Sequence, residues 1–317
     1  MPSIVAETEN SGGVSFNFTK VKSVEISENG SLDDDIARMG IGHGFVAVHC
    51  VDEGVESSVK LYNYDLEFSS SFDLPEKVTC PLCLTEDSVV AGISTGNLRR
   101  KEISSNILQR PSTIRVSPNG RHLRSVDAHP SGDAYILSTF NDAGTLIFQP
   151  KVGSGIHLVD DDSYCTGAMF LPDGRFISTW WDGTVRIYEH IDNDIVLQSV
   201  STEKHKFWIH TMDLTHNGKT LVTGGEDSSI YVWNTDTLEL IHRIESDINI
   251  QGISVDHTGN IIAGISRKNF KAMLYSVSTA ELLTTIHLDE KVHGISFLPN
   301  EHKLIIVTEK TLSLWED

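Results

Sequence analysis

The chain has 317 residues, of which 39% are hydrophobic, and carries 25 Lys+Arg against 44 Asp+Glu, a formal charge of −19. That field repels phosphate backbones and anionic lipid and attracts basic partners, so direct nucleic-acid binding is not expected. No stretch approaches the ~20 apolar residues of a membrane span, so no membrane insertion is expected. The four cysteines (Cys50, Cys80, Cys83 and Cys165) form no disulfide framework in so long a chain, which points to a reducing compartment, cytoplasm or nucleus.

Residues 1–12 are polar and Gly-rich and read as a disordered tail. A strand pattern, VSFNFTKVKSVEIS, covers Val14 to Ser27 and precedes the first complete structural unit. Beyond it the chain repeats. A strand, a tight turn and a strand ending in an aromatic recur, with the aromatic at Tyr62, Phe148, Tyr188, Trp233, Tyr275 and Trp315. The spacings are 86, 40, 45, 42 and 40, and Lys101 fills the double gap 39 residues after Tyr62. Upstream in each unit an apolar strand meets an x-Gly turn and a second strand, as in SVDAHPSGDAYILS and TMDLTHNGKTLVT. Seven units of this length, with no long 3.6-residue period, predict an all-β chain of four-stranded blades.

The fifth unit, HKFWIHTMDLTHNGKTLVTGGEDSSIYVWN, resembles the WD40 repeat family, and the likeness extends in weaker form over nearly the whole chain. The resemblance implies a single seven-bladed β-propeller over residues 13–317, closed by the N-terminal strand. In the fifth unit it implies a buried relay in which Trp233, Thr223, His205 and Asp227 are hydrogen bonded in series. In the fourth unit Ser178, Asp182 and Tyr188 match, but Asp161 stands where the histidine belongs.

No hydrolase or nucleotide-binding motif is present, and the sequence predicts no catalytic residues, no metal ligands and no cofactor. Cys80 and Cys83 lack the second ligand pair that a structural zinc site needs, and His43 and His49 lack a nearby carboxylate cluster. Acidic runs (Asp33–Asp35, Asp160–Asp162, Asp247 and Asp289-Glu290) precede inner strands, which the resemblance places on one face, the top. Trp180 and Trp181 lie in a turn on that face, and Phe207 and Trp208 in a neighbouring loop. Together with Asp160, Asp161 and Asp162 these aromatics are expected to form a site for a basic peptide, with strand alternation sending one tryptophan of the pair between blades and the other outward or toward the central channel, the alternative being that all four pack between blades.

Against the acidic background, Arg99, Arg100, Lys101, Arg110, Arg115, Arg121 and Arg124 gather within 26 residues, either as solvated charges or as a second interface. The resulting expectation is a non-catalytic interaction scaffold, monomeric within a larger hetero-complex. A reader of basic, histone-like tails and a propeller hydrolase are the alternatives. The reader needs a closed pocket with a carboxylate floor, and the hydrolase needs a ring of inward carboxylates or histidines.

Overall fold

The computed structural model describes residues 17–26, 39–51, 57–103, 111–116, 122–140, 145–150, 157–160, 163–192, 194–266 and 269–317. The residues 1–12 expected as a tail therefore lie outside it, as do Asp33–Asp35, Arg110 and Arg121. All regular elements among the described residues are strands.

The strands form antiparallel four-stranded sheets in a ring, and the expected count of seven blades is corrected to six. Six blades are each made of four strands consecutive in the chain: blade 1 spans 39–74, blade 2 83–114, blade 3 122–160, blade 4 165–200, blade 5 209–245 and blade 6 252–287. The remaining sheet is not a continuous blade. It joins Val292–Phe297, Lys303–Thr308 and Thr311–Glu316 to the N-terminal strand Thr19–Glu25, so its four strands come from opposite ends of the sequence. The physical reason is edge pairing: Thr311–Glu316 would otherwise show unpaired backbone groups, and Thr19–Glu25 supplies them with partners, from Thr19 opposite Glu316 to Glu25 opposite Thr311.

Within a blade, burial follows position. Middle strands such as Ser88–Gly92 and Phe176–Trp180 are buried on both faces, because each blade is covered on either side by its neighbours. The outermost strands, such as Asp194–Val200, are mostly exposed. One apolar cluster lies between each pair of adjacent sheets. Blade 1 and blade 2 share Val59, Leu61, Val89 and Ala91, while Ile305, Val307 and Leu314 of the composite sheet pack on Val46, Val48 and Tyr62 of blade 1. The ring is thereby closed by apolar contact as well as by strand pairing.

Glycine is required where turns meet the next blade. Gly183 has φ +83°, and a Cβ there would lie 2.3 Å from the His205 carbonyl oxygen. Gly218, at φ +67°, sits against the ring of Pro172 in the same way.

A one-residue bulge recurs between the inner strand and its neighbour. The extra residues are Arg124, Thr166, His210 and His293, in blades 3, 4 and 5 and the composite sheet. A bulge re-aims its extra side chain, and all four line the central channel, a cavity of about 340 Å³.

The N-terminal strand also inserts Phe18 and Ile26, both buried, into the clusters on either side of the composite sheet. Each such side chain contributes roughly 1.5–3 kcal/mol. Removing residues 1–27 should therefore lower the melting temperature sharply and promote aggregation, whereas removing residues 1–11 should leave it unchanged; thermal melts of the two truncations, run alongside the full chain, check this.

Candidate functional site

The site is assembled where the turn 180–184 of blade 4 meets the loop 201–208 that leads into blade 5. His205 N–H donates to the Gly183 carbonyl at 3.0 Å, and Trp181 N–H to the Tyr164 carbonyl at 2.8 Å. These bonds fix three segments against each other, and the aromatics they carry divide into two groups.

Trp180 faces inward. It is fully buried among Phe148, Phe170, Phe176 and Tyr188, and its indole N–H donates to the Ser178 hydroxyl at 2.8 Å. The Arg186 guanidinium lies over the ring at 4.2 Å and pairs with Asp182 at 2.9 Å. Trp180 thus belongs to the core and not to a partner surface.

Blade 5 explains why a tryptophan fits there. Its indole Trp233 donates to the Thr223 hydroxyl at 2.9 Å, Thr223 lies 2.8 Å from His205 Nε2, and His205 Nδ1 lies 2.9 Å from Asp227. Proton directions agree throughout if His205 carries its hydrogen on Nδ1: indole to hydroxyl, hydroxyl to Nε2, and Nδ1–H to carboxylate. Burial, the largest single influence, would raise the Asp227 carboxyl, but the hydrogen bond and charge of His205 together with the Lys206 and Ser229 N–H groups outweigh it and hold the group below its ordinary value. The residue of blade 5 that corresponds to Trp180 is Gly225, where a Cβ would come within 2.7 Å of His205 Nδ1. One blade fills this space with a histidine ring over a glycine; the other fills it with an indole that bonds the corresponding hydroxyl directly.

Trp181 faces the other way and is half-buried. Its ring centroid is 3.9 Å from that of Trp208, tilted by 37°, and Tyr164 meets Trp181 edge-on at 5.8 Å. Phe207 is 60% exposed. Of the four aromatics expected together, the structure places Trp181, Phe207 and Trp208 at one surface and removes Trp180. The Asp160 side chain and Asp161 and Asp162 lie outside the described residues.

Tyr164, His210 and Glu226 were missed by the sequence reading. His210 Nε2 lies 2.9 Å from the Trp208 indole nitrogen and 2.6 Å from a Glu226 carboxylate oxygen. A single ring nitrogen serves one of the two at a time, accepting from the indole or donating to the carboxylate. The only signal in the sequence was position: Tyr164 precedes the inner strand of blade 4 as Trp208 precedes that of blade 5, and Glu226 sits in the turn of blade 5 that corresponds to the turn holding Trp181 in blade 4.

The remaining charged candidates separate. Asp247 pairs with Lys271 at 2.8 Å, and Glu290 accepts from the Thr308 hydroxyl and from Lys310 N–H. Among the described residues of the Arg99–Arg124 run, Arg99 binds Glu76, Arg100 binds Asp87 at 2.6 Å, Lys101 is buried, and Arg124 donates to the Thr166 carbonyl at 3.2 Å beside the channel. Cys80 and Cys83 are both buried in the cluster between blades 2 and 3, where desolvation raises the Cys83 thiol well above its usual value. His49 Nε2 lies 2.8 Å from the Ser57 hydroxyl, and His43 occupies a turn with positive φ.

Among the described residues, the carboxylates of Asp127 and Asp213 line the channel. Asp127 accepts Phe170 N–H of the next blade at 2.8 Å, and Asp213 accepts Val255 N–H of its own next blade at 2.9 Å. Both are bound to neighbouring inner strands as staples between blades. Desolvation pushes each up to about 6, with a further contribution at Asp127 from the charge of Asp213.

Residues 197–234 match the family pattern described as "WD domain, G-beta repeat". Among curated proteins, the chain is 23% identical to Pre-mRNA-processing factor 19 of Schizosaccharomyces pombe over 77% of its length and 50% of that protein. It is 24% identical to the small ribosomal subunit protein RACK1y of Oryza sativa over 36% of the chain and 34% of that protein. The match therefore spans half or less of these relatives. Among solved structures, the Cps50 (Swd1) β-propeller domain of Myceliophteria thermophila superposes with a TM-score of 0.74 at 14% identity, over 93% of this chain and all of that one, which shows the fold. The family pattern is thus matched in the fifth unit, and over the rest of the chain the likeness to WD40-repeat β-propellers is one of fold and of distant sequence similarity.

Two outcomes follow from this geometry. Asp227→Ala should strand His205 without its acceptor and lower stability by on the order of 1–3 kcal/mol in denaturant melts. Asp127 and Asp213 should act in the opposite pH sense to a salt-bridged carboxylate. Their folded values, near 6, lie above the ~3.9 of an unfolded aspartate. The native state thus holds protons that the unfolded chain has released, and their contribution to stability falls as pH rises from about 4 through 6. Asp127→Asn keeps a carbonyl acceptor and removes the titration, so its melting temperature should gain on wild type as pH is raised from 4 to 7.

Proposed function

We propose that the protein is a non-catalytic interaction platform within a larger assembly and takes a basic peptide segment of a partner protein on the surface formed by Tyr164, Trp181, Phe207 and Trp208. The observation that carries this reading is the Trp181–Trp208 pair, two half-buried indoles held 3.9 Å apart beside a largely exposed phenylalanine. Aromatic faces attract Lys and Arg side chains, and aromatic anchors dominate the energy of typical interfaces. Glu226 adds a carboxylate at the edge of the patch whenever His210 accepts the Trp208 indole instead. The net charge of −19 favours basic partners at long range. Participation in an assembly is supported by relatives whose names place them in pre-mRNA processing and in the small ribosomal subunit. With the binding site on the propeller itself, the protein acts as a single copy within such a complex, in the cytoplasm or nucleus.

The two alternatives have less support. The aromatic patch is open where a tail reader needs a closed pocket, and the channel carboxylates Asp127 and Asp213 are engaged by backbone N–H groups where a hydrolase needs them free.

A Lys/Arg-rich peptide should bind with an affinity that falls as salt rises, because exposed charge attraction is screened beyond ~10 Å at 0.1 M. Phe207→Ala with Trp208→Ala should weaken it by about 30-fold or more, the range of interface hot spots, with little change in melting temperature. Trp180→Ala should instead unfold the protein, since truncating a buried aromatic costs about 3–5 kcal/mol. Fluorescence titration of the peptide against each variant reads this out, and undiminished binding to the double variant would overturn the assignment.

A further inference from the structure

On the face opposite the aromatic patch, the turn after the inner strand of blade 6 and the same turn of the composite sheet bring together Asp256, His257 and His302. One ligand atom from each lies within 4.8 Å of the other two. We propose that these three side chains form a binding site for a divalent transition metal of the zinc type, linking blade 6 to the composite sheet.

Asp256 is built to hold a fixed direction. Its side chain is fully buried, with Oδ1 accepting Asn260 N–H at 2.7 Å and Ile261 N–H at 2.9 Å, and Oδ2 accepting from the Thr258 hydroxyl. Hydrogen bonds of this kind orient a ligating carboxylate. His302 Nδ1 lies 3.3 Å from Asp256 Oδ2. Bonds of about 2.0–2.1 Å to a tetrahedral zinc place neighbouring ligand atoms about 3.3–3.4 Å apart, so this pair already stands at coordination spacing. His302 is half exposed.

The independent observation is His257. Its Nδ1 is buried and has no hydrogen-bond partner, although its ring lies 4.6 Å from that of His302. A buried polar atom without a partner is costly, and a metal ion satisfies a bare imidazole nitrogen beside a carboxylate. Two imidazoles and one carboxylate select zinc-like ions over magnesium or calcium, which take oxygen ligands. Three protein ligands leave a fourth position to water. Because His302 comes from a different sheet, bound metal cross-links two sheets beside the ring closure and favours the folded state.

The test uses the full chain, stripped with chelator and titrated with Zn2+, and separately with Co2+, whose visible absorption reports tetrahedral nitrogen and oxygen coordination. One Zn2+ per chain should bind, raise the melting temperature and give the Co2+ spectrum. His257→Ala and His302→Ala should each weaken binding at least tenfold and abolish the thermal shift, while His122→Ala, an exposed histidine of blade 3, should leave both within twofold. If His257→Ala does not fold, His302→Ala carries the comparison, since that side chain is half exposed. Absence of stoichiometric uptake, or uptake and thermal shift retained in His302→Ala, would overturn the site.

Discussion

A sheet in this ring has two apolar faces, and neither tolerates water. Every blade therefore depends on a neighbour at each side, and the dependence runs round the molecule until it returns to the start. The composite sheet is where that requirement is met. Trp315 packs with Leu274 and Phe18 on the side of blade 6, while Leu312 and Leu314 pack with Val46 and Val48 on the side of blade 1. Pairing Thr19–Glu25 with Thr311–Glu316 turns an open stack into a closed one. The composite sheet thereby reaches the same four strands as every other sheet of the ring.

Inside that frame, the polar groups of the blades are managed by local exchange. Blade 5 buries a tryptophan, a threonine, a histidine and an aspartate, and each meets the next at 2.8–2.9 Å. Blade 4 satisfies the corresponding hydroxyl with one indole. Both arrangements leave no buried donor idle, which is the condition that matters energetically. The inner strands follow the same rule across blades, with Asp127, Asp213 and Ser254 each accepting a backbone N–H of the following sheet. Carboxylates at the channel are thereby structural, although their position beside a cavity suggests chemistry at first sight.

The two faces of the ring then differ in character. On one, the turn of blade 4 and the loop leading into blade 5 present two indoles in tilted contact and an exposed phenylalanine. On the other, successive turns present a buried carboxylate and two histidines. The first suits a partner side chain with a delocalised or cationic group. The second suits a small hard-to-soft borderline cation. The second surface stands apart from the stability relay of blade 5, whereas the first shares a loop with His205, where Lys206 N–H donates to Asp227 at 3.0 Å.

The amino-acid sequence alone determined the repeat and most of the strands, because alternation of apolar residues and x-Gly turns are local signals that every blade must carry. It also located the relay residues Trp233, Thr223, His205 and Asp227, through the resemblance of the fifth unit to the WD40 repeat. The tertiary structure decided which way individual side chains point. Trp180 and Trp181 are adjacent and equally apolar; only the pleat and the space left by the missing histidine ring send one into the core and the other to the surface. The bulges at Arg124, Thr166, His210 and His293 change side-chain direction without changing composition, so the channel lining was not legible. The basic run between Arg99 and Arg124 looked contiguous in the chain, yet Arg99 and Arg100 are engaged by Glu76 and Asp87. Asp256, His257 and His302 are separated by a full repeat, and their meeting exists only because two consecutive units stack with matching turns side by side.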